Sequence, residues 1–310
     1  MNLYQQRVLN ARKEFLRLNK KQEKELLSIY RELAKQLSSE IDSCRTSSSK
    51  QYLSEMEEMV QAYTNYLKLK LNKTIKNNIK ASSHIASSVE LAYYNSITNN
   101  VGLRTIFNKS VVTTSANTVK KLIQGNYYAD GKTLDHRIWN LTKKNAKDID
   151  TLIKVNISRG ANSRKLAKQV DKYVNPLKRT EAKTFVSGMS SKVSYQAQRL
   201  ARTSITHSFA ETTIENAKNN PFSLGVRWIL SASHYEKQVK RHGPDICDEY
   251  ADKIFKPKDV PLQHPNCACY LLEESEDIDK VIEKLNKWCN GEPNLELEKW
   301  LKNLEANLKE

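Results

Sequence analysis

The sequence predicts a mainly α protein, with a long helical N-terminal region followed by a small α+β C-terminal module, and three observations carry that expectation. Apolar residues recur at spacings of three and four through most of the first half, the periodicity of an amphipathic helix. No glycine precedes Gly102 and no proline precedes Pro176, so glycine is missing from about the first third of the chain and proline, the strongest helix breaker, from more than half. Toward the other end, three of the five cysteines and four of the seven prolines fall between Gly243 and Cys269, which marks one compact, loop-rich module. With 39% hydrophobic and only 8% aromatic residues over 310 positions, the core is thin for the length and about two domains are expected.

The first helix follows from Val8, Ala11, Phe15 and Leu18, and from Leu26, Tyr30, Leu33, Leu37 and Ile41, which resume the pattern one residue out of phase. One long helix with a stutter and a two-helix hairpin both fit. A break is expected between Cys44 and Lys50, where Thr46-Ser47-Ser48-Ser49 interrupts the pattern. Leu53, Met56, Val60, Tyr63, Leu67 and Leu71 then predict a helix from Gln51 to Lys80, and both stripes read as helix-packing surfaces. Ile138, Leu141, Ile149, Leu152 and Val155 predict another helix from His136 to Val155. Gly160 can end it with a left-handed residue, and Asn162 or Ser163 can cap the next, basic helix. That helix-turn-helix beginning competes for sequence-specific DNA recognition, but no clear second turn and recognition helix follow Val170.

The sequence loosens from Pro176 to Ser190, and a helix is expected from Ser191 to Lys218, ended by Asn219-Asn220-Pro221. Val226 to Leu230 and Cys269 to Leu272 read as short strands, separated by a loop carrying Pro244, Pro257, Pro261 and Pro265. Two short helices, Ile278 to Trp288 and Leu295 to Leu308, close the chain. The expected division is therefore a basic elongated helical domain over 1–180, a module over 181–275 and an acidic helical tail over 276–310.

Charge separates along the same line. Residues 61–210 carry 26 basic and 7 acidic side chains, net +19, whereas residues 1–60 are net +2 and residues 211–310 net −5. A middle so basic favours an acidic partner, double-stranded DNA first, over a membrane surface. Lys68, Lys70, Lys73, Lys76 and Lys80, with Arg159, Arg164, Lys165 and Lys168, are the candidate phosphate contacts. Tyr63, Tyr66, Tyr93, Tyr94, Tyr127 and Tyr128 are near enough in sequence to stack on bases, although tyrosines at helical spacing also serve as core. There is no run of 18 apolar residues and no apolar leader, so no membrane span and a reduced, intracellularly made protein are expected.

Leu200-Ala201-Arg202-Thr203 on a helix, Trp228 on a strand, His234, the turn Asp245-Ile246-Cys247-Asp248, and Val260-Pro261 leading into His264-Pro265-Asn266-Cys267-Ala268-Cys269 occur in that order. So arranged, they resemble the tailed-phage head-morphogenesis or minor capsid family with the Mu F-like domain, over about residues 191–272. The resemblance implies a virion protein, portal-associated and packaged inside the head. It implies a part in head assembly, genome packaging or ejection, with portal, capsid or scaffold proteins and further copies of itself as partners. Arg202, Trp228, His234, Asp245, Asp248 and Pro265 are the motif positions. Many members also place a second cysteine three residues after the first; here that position is Tyr250.

Chemically, Cys247, His264, Cys267 and Cys269, with His234 and His242 near them in sequence, are ligands of the kind zinc takes. The single residue between Cys267 and Cys269 departs from the usual knuckle spacing of about two to four. Zinc, a reduced thiol cluster and a later disulfide all remain open on the sequence. An enzyme is not expected: no phosphate-cradling glycine loop is present, and no nucleophile pairs with a base. The alternative is a metal-dependent nuclease-like or toxin-type protein using His234, His242, Asp245 and Asp248 on nucleic acid.

Overall fold

The computed structural model describes residues 3–45, 49–180 and 185–307. The chain is mainly α, as expected, with a small sheet near its C-terminal end. The out-of-phase stripe does not break the first helix: α1 runs unbroken over Leu3–Ser43. The Ser-rich break lies partly outside the described residues, and α2 extends over Ser49–Ile97, well past Lys80. Then follow α3 (Val101–Gln124), α4 (Leu134–Ser158) and α5 (Ser163–Val174). The α4–α5 joint has the expected chemistry. Gly160 turns left-handed at φ 74°, and the Asn162 side chain accepts a hydrogen bond from the Lys165 backbone N–H at 2.9 Å. Loops and turns occupy the described residues between Val174 and Tyr195, so no recognition helix follows α5.

Helix α6 (Tyr195–Asn219) leads into strand β1 (Ser223–Ile229). A single π turn over Tyr235–Val239 and the short helices α7 (Lys240–His242) and α8 (Ile246–Tyr250) come next. Strands β2 (Ile254–Phe255) and β3 (Tyr270–Ser275), then α9 (Ile278–Cys289) and α10 (Leu295–Asn307), complete the chain. The sheet is antiparallel in the order β2-β1-β3, with Trp228 opposite Leu271 and Val226 opposite Phe255. Gly225 marks a bulge at φ 139°, where a Cβ would lie 2.6 Å from the Phe255 carbonyl oxygen.

Two compact units result, and they are not consecutive in sequence. The first combines residues 1–18, 78–122 and 203–310; the second combines 19–77 and 123–202. This differs from the linear division at 180 and 275, because α1, α2 and α6 are long enough for one helix to feed two cores. Nothing in composition marks a boundary inside a continuous helix. Nor is 276–310 a separate tail. Val281, Leu285 and Leu297 join the first unit's core with Tyr93, Tyr94, Phe107 and Phe222, and the Trp300 indole donates to the Asn219 carbonyl at 2.7 Å.

Helix α3 keeps an apolar stripe only over Leu103, Phe107 and Val111, which join the first unit's core, so periodicity does not announce its full length. Beyond that stripe it packs through hydroxyls. Ser83 on α2 lies 2.7 Å from the Ser115 hydroxyl of α3 and 2.8 Å from the Thr212 hydroxyl of α6, while the Ser208 hydroxyl donates to the Ile79 carbonyl at 2.8 Å. Small side chains permit close approach, and their buried oxygens satisfy one another. The second unit is more conventional, built on Leu26, Tyr30, Leu37, Leu67, Leu71, Ile138, Leu152 and Val170. Within it Asn145 donates to the Tyr30 hydroxyl at 2.9 Å.

Candidate functional site

The His264-Pro265-Asn266-Cys267 stretch is a type II turn. The Cys267 N–H donates to the His264 carbonyl at 3.2 Å, proline fixes the second position, and Asn266 takes the left-handed third position at φ 68°. Asparagine tolerates that conformation better than any other residue with a side chain of its size. Beyond the turn the chain extends, so Cys267 and Cys269 fall on one buried side while Ala268 faces the other way.

The loop is pinned from several directions. Thr203 on α6 accepts from the Asn266 N–H at 3.0 Å, and Thr206 donates to the Cys267 carbonyl at 3.3 Å. Gln263 donates to the Cys269 carbonyl at 2.9 Å, and the His207 ring nitrogen lies 2.8 Å from the Gln263 carbonyl. Arg12 of α1 donates to the Ala268 carbonyl at 2.8 Å and stacks over Tyr270. Arg12, Thr206 and Gln263 were not legible as site residues, and Thr203 was legible only as part of the Leu200–Thr203 run. Arg12 lies 256 positions from its acceptor, and no local pattern signals such a pairing.

Opposite the loop, α8 opens with a capping box. The Asp245 carboxylate accepts from the Cys247 N–H at 2.8 Å, and the Asp248 carboxylate accepts from the Asp245 N–H at 2.8 Å. Cys247 is thereby fixed in the core beside Trp228, Cys267, Cys269 and Leu271. Tyr250 makes an edge contact with Trp228 at 5.3 Å between ring centres; it is a packing residue.

All five cysteines are free thiols. The sulfurs of Cys247 and Cys267 lie 3.5 Å apart. Hydrogen bonds from these two thiols hold Cys269 well down, to about 2, against its burial. Cys267 is drawn down by Cys247 but pushed up by Cys269 and by burial, to about 12, and Cys247 is raised by its bonds to both other sulfurs.

His234 Nδ1 lies 3.6 Å from the Cys269 sulfur, and its Nε2 lies 3.0 Å from Asp248. Burial works against charge on this ring, but the hydrogen bond to Asp248 and the fields of Cys269, Asp248 and Asp245 prevail, so its pKa is raised. The same bond, with the Asp245 N–H, depresses Asp248. Two ligand groupings follow: Cys247, His264 and Cys267 within 4.8 Å of one another, and His234, Asp245 and Asp248 likewise. His242 is exposed and belongs to neither. Of the remaining motif positions, Pro265 is in the turn and Trp228 in the core beneath it. Arg202 falls in the second unit, 4.0 Å from Glu23.

The basic candidates divide. Lys70 and Lys73 are exposed, as are Arg159, Arg164, Lys165 and Lys168 around the α4–α5 turn. Lys76 is paired with Asp135 at 3.2 Å and is half-buried, as is Lys68. Lys80 is exposed but falls in the first unit. The tyrosines are mostly structural: Tyr63, Tyr93 and Tyr94 are buried and Tyr66 is 53% exposed, while Tyr128 lies under the Arg137 guanidinium. The base-stacking expectation therefore fails for the buried ones. Counted by unit, the second carries 28 basic and 14 acidic residues, net +14, and the first 23 and 21, net +2.

One further polar centre lies in the first unit. Glu90 of α2 and Glu273 of β3 are buried beside a cavity of about 30 Å³ that Arg12 also lines. Asn220 donates to Glu273 at 2.8 Å, and Glu90 lies within hydrogen-bonding range of Glu273 and Tyr94. Burial raises both carboxyls, Glu273 further because it faces Glu90.

Comparison with family models, with curated proteins and with solved structures finds no match to the chain. Among the described residues no helix is long and apolar enough to cross a membrane.

Proposed function

We propose that the protein is a minor head protein of a tailed-phage virion, made in the host cytoplasm and carried, portal-associated, inside the capsid. In this role the second unit holds double-stranded DNA by its backbone during packaging or ejection. The first unit, with its cysteine-bearing module, docks on portal, capsid or scaffold protein or on further copies of the chain. The observation that carries the proposal is the segregation of charge, since +14 of the net +16 belongs to one compact unit. Exposed lysines and arginines at Lys70, Lys73, Arg164 and Lys168 suit phosphates and specify no base. The order of motif residues in the other unit supports the head-protein assignment.

A second reading, metal-dependent cleavage of nucleic acid, draws on the gathering of His234, Asp245 and Asp248. Against it, both carboxylates are already engaged by backbone N–H groups of α8. Filter binding of the full chain to a duplex fragment at rising salt tests the proposal. The logarithm of affinity should fall with slope about −0.9 for each phosphate contacted. Replacing Lys70, Lys73, Arg164 and Lys168 by Gln should flatten that slope. Binding that ignores salt, or no binding, sinks the proposal; plasmid nicking abolished by His234→Ala would install the alternative.

A further inference from the structure

We propose that Cys247, Cys267, Cys269 and His264 form a structural zinc site that ties helix α8 and the turn before β3 into one module. The donors match the metal: three thiols and an imidazole are the soft and borderline ligands that a closed tetrahedral zinc site takes. Spacing matches too. A zinc–sulfur bond of about 2.3 Å implies sulfur-to-sulfur edges of about 3.8 Å in a tetrahedron, and Cys247 and Cys267 stand 3.5 Å apart. One ring nitrogen of His264 lies within 4.8 Å of both of these sulfurs. Cys269 is buried in the same core cluster as these two thiols.

The short spacing from Cys267 to Cys269 is no obstacle, because the ligand pair is on extended chain. Alternation puts both sulfurs on the buried side, with Ala268 facing away. A knuckle turn needs its wider spacing for the same end.

Polar groups around the sulfurs decide among the three states open on the sequence. A purely apolar thiol cluster has no use for imidazoles, yet His264 Nε2 is shut off from solvent and makes no aligned hydrogen bond, with Asp245 Oδ2 3.3 Å away. His234 points Nδ1 at Cys269 and is held from behind by Asp248. A carboxylate behind an imidazole is the usual outer support of a metal site, orienting the ring and raising its basicity. We assign His264 as the fourth ligand and His234 as a positioning residue that donates to the Cys269 sulfur. A disulfide joining Cys247 to Cys267 would leave Cys269 and both histidines without a purpose.

Elemental analysis of the full chain, purified without chelator, should find one zinc per chain. Cobalt substituted for zinc should give the intense ligand-field bands of a tetrahedral site and sulfur-to-cobalt charge transfer. Cys267→Ser and Cys269→Ser should each lose the metal, while His264→Ala should shift the cobalt spectrum toward a site open to water. His234→Ala should keep the metal stoichiometric and weaken it about 10–100-fold, the usual effect of removing an outer support. Circular dichroism of each variant separates loss of ligand from loss of fold, and the cobalt titration of wild-type protein does not depend on any variant folding. Wild-type protein with no zinc, three reagent-accessible thiols and no cobalt charge transfer overturns the proposal. An unchanged cobalt spectrum in His264→Ala overturns the ligand assignment.

Discussion

Replacing Glu273 with Gln should make the protein more stable at neutral pH than the natural chain, although it removes a buried side chain's native chemistry. Glu90 and Glu273 face one another with little solvent, and both hold their protons above the ordinary carboxyl range, first because of burial. The groups around them do not reverse this: Tyr4, Tyr93 and Tyr94 are themselves raised by burial, and Arg12 reaches away to the Ala268 carbonyl and Tyr270.

An acid whose native pKa is raised contributes fully below its unfolded value, about 4.3, and loses that contribution as pH climbs toward the native value. Each proton retained by the folded state then costs about 1.4 kcal/mol per pH unit. The penalty accumulates over the pH range in which the folded carboxyl keeps its proton and the unfolded one does not. Glutamine keeps an acceptor for Asn220 and offers Glu90 an amide donor, so the variant should shed this slope at little cost in packing. Urea unfolding followed by tryptophan fluorescence at several pH values is the assay, since Trp228 and Trp300 both belong to the first unit. The wild-type midpoint should fall toward neutrality more steeply than that of the variant, and the two curves should cross. Parallel pH profiles would refute the reasoning, because they would mean that Glu273 titrates alike in the folded and unfolded chains.

Two backbone predictions are independent of this. Asn266→Gly should be nearly neutral, whereas Asn266→Val should cost about 1–2 kcal/mol in chemical denaturation, because a β-branched residue resists the left-handed position of a type II turn. Gly225→Ala should cost about 1–3 kcal/mol, measured in the same way, since the added methyl meets the Phe255 carbonyl from an already unfavourable φ.

Helices whose apolar residues keep a stripe were legible: α1, α2, α4, α5 and α6 all lie where the spacing put them, within a few residues except at the C-terminal end of α2. The Gly160 and Asn162 joint was legible because turn chemistry is local. Helix α3 was not, since beside Leu103, Phe107 and Val111 its buried face is made of Ser110, Thr114, Ser115 and Thr118, residues that periodicity counts as polar surface. Strand β2, two residues long, is defined only by its partner β1. At the site, the four ligand-type side chains could be named in advance because cysteine and histidine advertise their chemistry. Most of their supports could not, because Thr206, Gln263 and Arg12 are ordinary residues whose roles come from separate segments meeting. Charge was legible in amount and not in placement, since the basic unit includes 19–77 and loses 78–122.

The interleaving of the two units bears on the order in which the protein can be made. Residues 3–18 are translated well ahead of their core partners Ile205 and Phe209, and Arg12 waits for Ala268. The second unit has all of its sequence once residue 202 is synthesised. Its folding can precede the first unit's by the time taken to translate residues 203–310, while the leading segment of α1 stays uncommitted. That segment is thus among the last parts to find its place, and the completed module that carries Ala268 is what captures it.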